Sequence, residues 1–144
     1  MKLKKLTAAC TLACATLFGA AAPAQAQISG DVIRIGIITD MSSLYADIDG
    51  PGGVEAIKMA IADAGGAVNG KKVEVLFADH QNKADIAAAK AREWFDTQGL
   101  DMLIGGTNSG TALAMAKVAA EKKKPYIVVG AASWSARSFP LDDQ

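Results

Sequence analysis

The chain has 144 residues, with 15 Lys plus Arg against 15 Asp plus Glu, and its residues are 51% apolar and 21% charged. Taking away an N-terminal export signal of 26 residues leaves 118, one domain rather than two. Lys2, Lys4 and Lys5 go with that signal, so 12 basic residues then face 15 acidic ones, a balance that excludes the basic surface of a nucleic-acid binder, while the apolar fraction excludes a disordered tail.

The signal is read from Lys2, Lys4 and Lys5 ahead of an uncharged apolar stretch, Leu6 to Ala22, then Pro23 and the A-x-A cleavage pattern Ala24-Gln25-Ala26. It predicts a soluble product beginning at Gln27. As a membrane span the stretch is short, weakly apolar, and closed by Pro and small polar residues. Cys10 and Cys14 both fall inside it, so the exported chain has no disulfide, thiolate nucleophile or cysteine metal ligand. Thr7 and Thr11 stand where a leucine would precede a lipid-modified cysteine, which argues against a lipid anchor.

Beyond the signal, short β-branched runs alternate with helical patterns. Val32 to Ile38 has only Arg34 as a polar interruption, as suits a strand covered on both faces. Gly50-Pro51-Gly52-Gly53 reads as a loop, and Val54, Ile57, Met59 and Ile61 as a helix ended by Gly65-Gly66. Val73 to Ala78 is a second strand. A helix from about Lys83 to Gln98 follows, with Ile86, Ala89, Trp94 and Phe95 as its packing stripe and Gly99 as its stop. Leu103 and Ile104 mark a third strand, followed by Gly105-Gly106-Thr107-Asn108-Ser109 and a helix carrying Leu113, Met115 and Val118. Lys122, Lys123 and Lys124 read as the solvated end of that helix, Pro125 as its stop, and Tyr126 to Val129 as the fourth strand. The order βαβαβαβ without a hairpin signal predicts an α/β fold: a parallel sheet of about four strands with helices on both faces.

Open parallel sheets bind ligands at the carboxyl ends of their strands. That directs attention to four loops: Thr39 to Gly50, Asp79 to Asn82, Gly105 to Gly110 and Gly130 to Ser135. In the third, Ser109 and the amides of Gly110 and Thr111 are placed to grip an anion, while Ser109 or Asn108 equally serves as the helix cap. Gly130-Ala131-Ala132-Ser133 reads either as a tight strand exit or as a source of carbonyls and a hydroxyl for a ligand.

Enzymatic patterns are thin, and no catalytic residue, cofactor or metal is expected. His80 is the single histidine and reads as a solvated loop residue; Asp47 and Asp49, two apart beside Gly50, read as turn formers. There is no H-x-x-x-H, G-x-S-x-G or G-x-x-x-x-G-K-[ST].

Over roughly residues 31 to 133 the chain resembles the substrate-binding proteins of ABC importers of the branched-chain amino acid type, the type I periplasmic binding proteins. The likeness rests on Ile33-Arg-Ile-Gly-Ile-Ile38, Asp40-Met-Ser42, Gly70-Lys-Lys-Val-Glu-Val75, Asp79-His-Gln81, Leu103-Ile-Gly-Gly-Thr-Asn-Ser109 and Pro125-Tyr-Ile-Val-Val-Gly-Ala-Ala-Ser133, in that order. It implies most of the first of two α/β lobes, which together hold an amino acid or similar small carboxylate in the periplasm and deliver it to an ABC permease without chemistry. By position, the resemblance implies that Ser109 binds the ligand carboxylate. Ala131 and Ser133 then supply a carbonyl and a hydroxyl, with Thr111 adding a contact and Tyr45, Ile48 or Asp49 forming the side-chain wall. Asp49 stands where an aromatic is common, which argues against leucine-like specificity.

The family runs to more than twice this length. The tail Trp134 to Gln144 departs from its pattern, which leads to the expectation of a partial lobe over 27–133 followed by an atypical segment from truncation or frameshift. The alternative reading is a single-lobe ligand-sensing or interaction module whose partner supplies the second jaw. Turnover would consume a ligand, whereas either binding role would only raise the melting temperature.

Overall fold

A computed structural model describes residues 28, 30–133 and 135. The expected signal, with its cleavage site, and nearly all of the tail beyond Ser133 lie outside these residues.

In chain order the elements are β1 (Val32–Thr39), α1 (Ala46–Asp49), α2 (Pro51–Asp63), β2 (Ala67–Val68), β3 (Lys71–Asp79), α3 (Ala84–Thr97), β4 (Met102–Gly105), α4 (Ser109–Glu121) and β5 (Tyr126–Val128). They form one five-stranded sheet of order β2-β3-β1-β4-β5. β1 pairs in parallel with β3 and β4, and β4 with β5, while β2 alone is antiparallel. The fold is therefore the expected α/β sheet with one strand more. That strand corrects the reading of no hairpin. Asn69 and Gly70 both take left-handed backbone angles, φ 51° and 80°. This Asn-Gly pair is the two-residue turn that matches the twist of antiparallel strands.

α2 also begins earlier than its apolar pattern. Pro51 occupies its first turn, where the missing N–H costs nothing and the ring presets a helical φ, so Pro51-Gly52-Gly53 is helix rather than loop. Gly65 and Gly66, at φ 88° and 70°, close it as expected.

The connection from β1 runs toward one edge of the sheet and those from β3 and β4 toward the other. Right-handed crossovers then set α2 on one face and α3 with α4 on the opposite face. The core lies on the α3/α4 face, where Ile38 and Leu103 of the sheet meet Ala87, Ala91 and Trp94 of α3 and Met115 and Val118 of α4. Gly36 makes this possible, because a Cβ there would come within 2.8 Å of Leu100 and 2.9 Å of Trp94. The α3 stripe is Ala87, Ala91 and Trp94, at i, i+4 and i+7; Ala89, placed in the stripe from sequence, is exposed. An alanine carries too little apolar surface for the pattern to reveal which face it takes. Two of the three lysines after α4 are not merely solvated, since Lys122 pairs with Asp96 and Lys124 lies 3.6 Å from Asp101.

Because β1 sits between β3 and β4, the direction of strand addition reverses between β1 and β4. Open parallel sheets place their ligands at such a switch point, at the carboxyl ends.

Candidate ligand-binding site

The loop between β4 and α4 resolves its two cap candidates. Asn108 is the N-cap: its Oδ1 accepts from the amides of Gly110 at 2.7 Å and Thr111 at 3.2 Å, and its carbonyl accepts from the Thr111 hydroxyl at 2.9 Å. The amides of Gly110 and Thr111 are thus occupied rather than open to an anion, and Thr111 is buried with its hydroxyl used in the cap. With Asn108 capping, Ser109 occupies the first helical position and its hydroxyl serves a different partner. Ser109 Oγ accepts from the amide of Ser133 at 3.1 Å, leaving the hydroxyl proton to donate elsewhere.

That bond joins two of the four loops singled out from sequence. The strand leading into the second of them is tied to the first at three further points: the Val129 amide donates to the Gly105 carbonyl at 2.9 Å, the Thr107 hydroxyl to the Val129 carbonyl at 3.2 Å, and the Tyr126 phenol to the Gly105 carbonyl at 3.1 Å. Burial pushes the Tyr126 phenol up, with the nearby charge of Asp49 adding to it, so it stays a neutral donor. Ala131 is buried against Ala112, which fixes the exit of β5 on the helix. Gly105 sits at φ 147°, and a Cβ there would overlap the Ile38 carbonyl, so only glycine lets β4 turn outward at this level.

The first loop is built on two carboxylates that entered the sequence analysis only as part of the family likeness, with no role of their own. Asp40, buried at the end of β1, accepts from the Ser43 hydroxyl at 2.6 Å and from the amides of Tyr45 at 2.9 Å, Ser43 at 3.0 Å and Ser42 at 3.4 Å. Asp79 accepts from the Ser42 hydroxyl at 2.5 Å and the amides of Met41 at 3.0 Å and Gln81 at 2.7 Å. Burial raises both carboxyls, but these hydrogen bonds outweigh it and hold them below the ordinary value. For Asp40 the signal was present: in Asp40-Met41-Ser42-Ser43 the carboxylate stands two and three residues ahead of the serine amides, an Asx-turn pattern.

Tyr45 is anchored through its amide on Asp40, and Ile48 stands exposed on α1. Asp49 ends α1 with Oδ1 buried and without a hydrogen-bond partner. Its charge reaches both Tyr126 and His80, so the structure brings Asp49 toward the β4 and β5 ends. His80, expected in solvent, is 1% exposed, because it lies at the floor of the loops rather than on their surface. Burial lowers its proton affinity against the opposing pull of Asp40, Asp79 and Asp49, and the ring is neutral.

Among the described residues no three His, Cys, Asp or Glu side chains are grouped to hold a metal ion, and no helix is long and apolar enough to cross a membrane.

A mostly parallel sheet with a switch point beside β1, and polar loops clasped together at its carboxyl edge, is the architecture of one lobe of a type I periplasmic binding protein. The periplasmic binding protein family model matches residues 32–141, and the chain belongs to that family. The match reaches into the segment that the sequence reading set apart as atypical. A periplasmic binding protein from Burkholderia mallei is 70% identical, with a TM-score of 0.71 over 73% of this chain and 28% of its own. A branched-chain amino acid ABC transporter ligand-binding protein from Burkholderia xenovorans is 45% identical, with a TM-score of 0.69 over 72% of this chain and 28% of its own. A Rhodopseudomonas palustris solute-binding protein in complex with 3,4-dihydroxybenzoic acid is 30% identical, with a TM-score of 0.70 over 74% of this chain and 29% of its own. The chain thus spans less than a third of the length of these relatives. No curated protein sequence matches it.

Proposed function

We propose that this chain carries the ligand-gripping part of the first lobe of an extracytoplasmic solute-binding protein, which captures a small carboxylate for an ABC permease. The observation that carries this reading is the Ser109–Ser133 bond at the switch point, because Ser109 accepts in it and keeps its hydroxyl proton to donate where two loops meet. A hydroxyl in that position suits a carboxylate oxygen, and the hydrogen bond gains from the ligand's charge. The relatives support the ligand class, since their ligands include an aromatic acid. Asn108 and Thr111 shape the site through the cap, while Ala131 and Ser133 present the β5 exit, and Tyr45 and Asp49 face the part of the ligand away from its carboxylate. The chain reaches its compartment through the signal at 1–26, cleaved after Ala26, and acts as a binding protein rather than an enzyme.

The experiment is a thermal-shift screen of amino acids and hydroxybenzoates on a two-lobed chimera, with residues 27–133 replacing the matching segment of the Burkholderia mallei relative. A ligand present at 100 times its Kd stabilises by about 2.7 kcal/mol, so a true ligand gives a clear rise in Tm. No rise with any carboxylate contradicts the proposal.

A further inference from the structure

We propose that the turn from Asp79 to Lys83 is a proton-operated latch: unprotonated His80 Nδ1 holds it closed, and a proton on that atom opens it and loosens the first loop tied to it. The inference does not depend on which ligand the site takes.

The closed turn rests on one acceptor. The Asn82 amide donates to His80 Nδ1 at 2.9 Å, which requires that nitrogen to be unprotonated and puts the ring proton on Nε2. The turn needs such support because Gln81 and Asn82 are consecutive non-glycine residues in the left-handed region, at φ 51° and 56°. Asp79 Oδ1 holds the first of them through its amide, and His80 Nδ1 the second. The Lys83 amide donates to the His80 carbonyl at 2.8 Å and leads into α3, whose N-cap has no side-chain hydrogen bond. A proton on Nδ1 sets two donors against each other, and the His80 carbonyl beside the ring already takes the Lys83 amide.

The turn is bound to the first loop. The His80 amide donates to the Thr39 carbonyl at 2.9 Å, and Asp79 bridges the Gln81 amide to the Met41 amide and the Ser42 hydroxyl. Opening the turn therefore releases one side of the loop that carries Tyr45 and Asp49. The charged groups facing the ring are the carboxylates of Asp40, Asp79 and Asp49, while the ammonium of Lys83 is turned to the Gln81 side-chain carbonyl at 3.3 Å. Burial outweighs the carboxylates and the ring's own backbone carbonyl, and sets the ring below the ordinary histidine value. An opened turn exposes the ring and restores that value. The latch is thus closed above about pH 6.5 and opens progressively as pH falls toward the ring's own lower value.

Amide hydrogen exchange on the full chain, followed by NMR between about pH 7.5 and 5, tests this. Protection at Gln81, Asn82 and Lys83 should drop by up to about tenfold per pH unit below about 6.5, while Ile37 and Ile38 in β1 hold theirs. His80→Asn, whose Oδ1 can replace Nδ1 as acceptor, should keep the turn closed throughout, and His80→Leu should leave it open throughout. The proposal is overturned by flat Asn82 protection, by protection lost in step with Ile37 and Ile38, or by wild-type pH dependence persisting in His80→Asn. Where neither variant folds, ring nitrogen shifts of the wild type decide: Nε2–H with a free Nδ1 at pH 7.5 supports the latch, and Nδ1–H refutes it.

Discussion

Both ends of the sheet are cross-linked by hydrogen bonds, but they differ in what is left over. At the amino end the polar groups close on one another. The Arg34 amide donates to Asp101 Oδ2 at 3.0 Å and its carbonyl accepts from the Asp101 amide at 2.9 Å, while its guanidinium binds Glu74 at 3.3 Å and the Gln98 carbonyl at 3.0 Å. At the carboxyl end lie all three buried side-chain oxygens that lack a partner among the described residues, Thr39 Oγ1, Asp49 Oδ1 and Asn82 Oδ1. Buried polar groups are normally paired, and exceptions gather where a structure does something other than hold itself together. The amino end stabilises, and the carboxyl end is where the proposed function puts the ligand.

The largest way to break that contrast is to deny the carboxyl end its close backbone approach. Gly105→Ala places a Cβ against the Ile38 carbonyl at a φ that L-residues avoid. The strained backbone alone costs about 1–3 kcal/mol and the overlap adds to it, so the prediction is loss of the cooperative melting transition, measured by circular dichroism.

At the amino end, Asp101→Ala leaves the Arg34 amide without its side-chain acceptor and should cost about 1–3 kcal/mol in a denaturant melt. In a two-lobed chimera the same change should leave ligand affinity untouched. A fall in affinity with unchanged stability would reverse the assignment of the two ends.

Acid should act on the carboxyl end through Asp40 and Asp79. Their carboxyls are held below the ordinary value, so the stability they contribute is complete above about pH 4 and is lost as pH falls through their lower folded values. Melting temperature followed from about pH 6 to 3 should decline, and Asp40→Asn should flatten the lower part of that decline. The smallest effect is at the cap: Asn108→Ala should cost about 1 kcal/mol of stability, with the Ser109–Ser133 bond retained.

How far the sequence revealed this depends on the size of each signal. The isoleucine-rich β1, the glycine stop after α2 and the parallel crossovers were legible because each rests on several residues of one character. The β2–β3 hairpin was missed although Asn69-Gly70 announces it, since a strand of only two residues, Ala67 and Val68, shows no alternation. The anchoring role of Asp79 and the burial of His80 were not legible, because both depend on β1 and β3 ending side by side, as Thr39 and Asp79 do in register. Whether Asn108 or Ser109 capped α4 could not be decided from two adjacent residues that both favour the position. The backbone decides it, and so frees Ser109.

The central claim is therefore that the Ser109 hydroxyl takes a ligand's carboxylate, and calorimetry on the two-lobed chimera tests it most directly. With a carboxylate found in the screen, Ser109→Ala should weaken binding by about 1–3 kcal/mol, or about 5- to 150-fold, with only a small fall in the ligand-free melting temperature from the lost acceptor of the Ser133 amide. Unchanged affinity with a lowered melting temperature would show that Ser109 only fastens the two loops together, and would contradict the account.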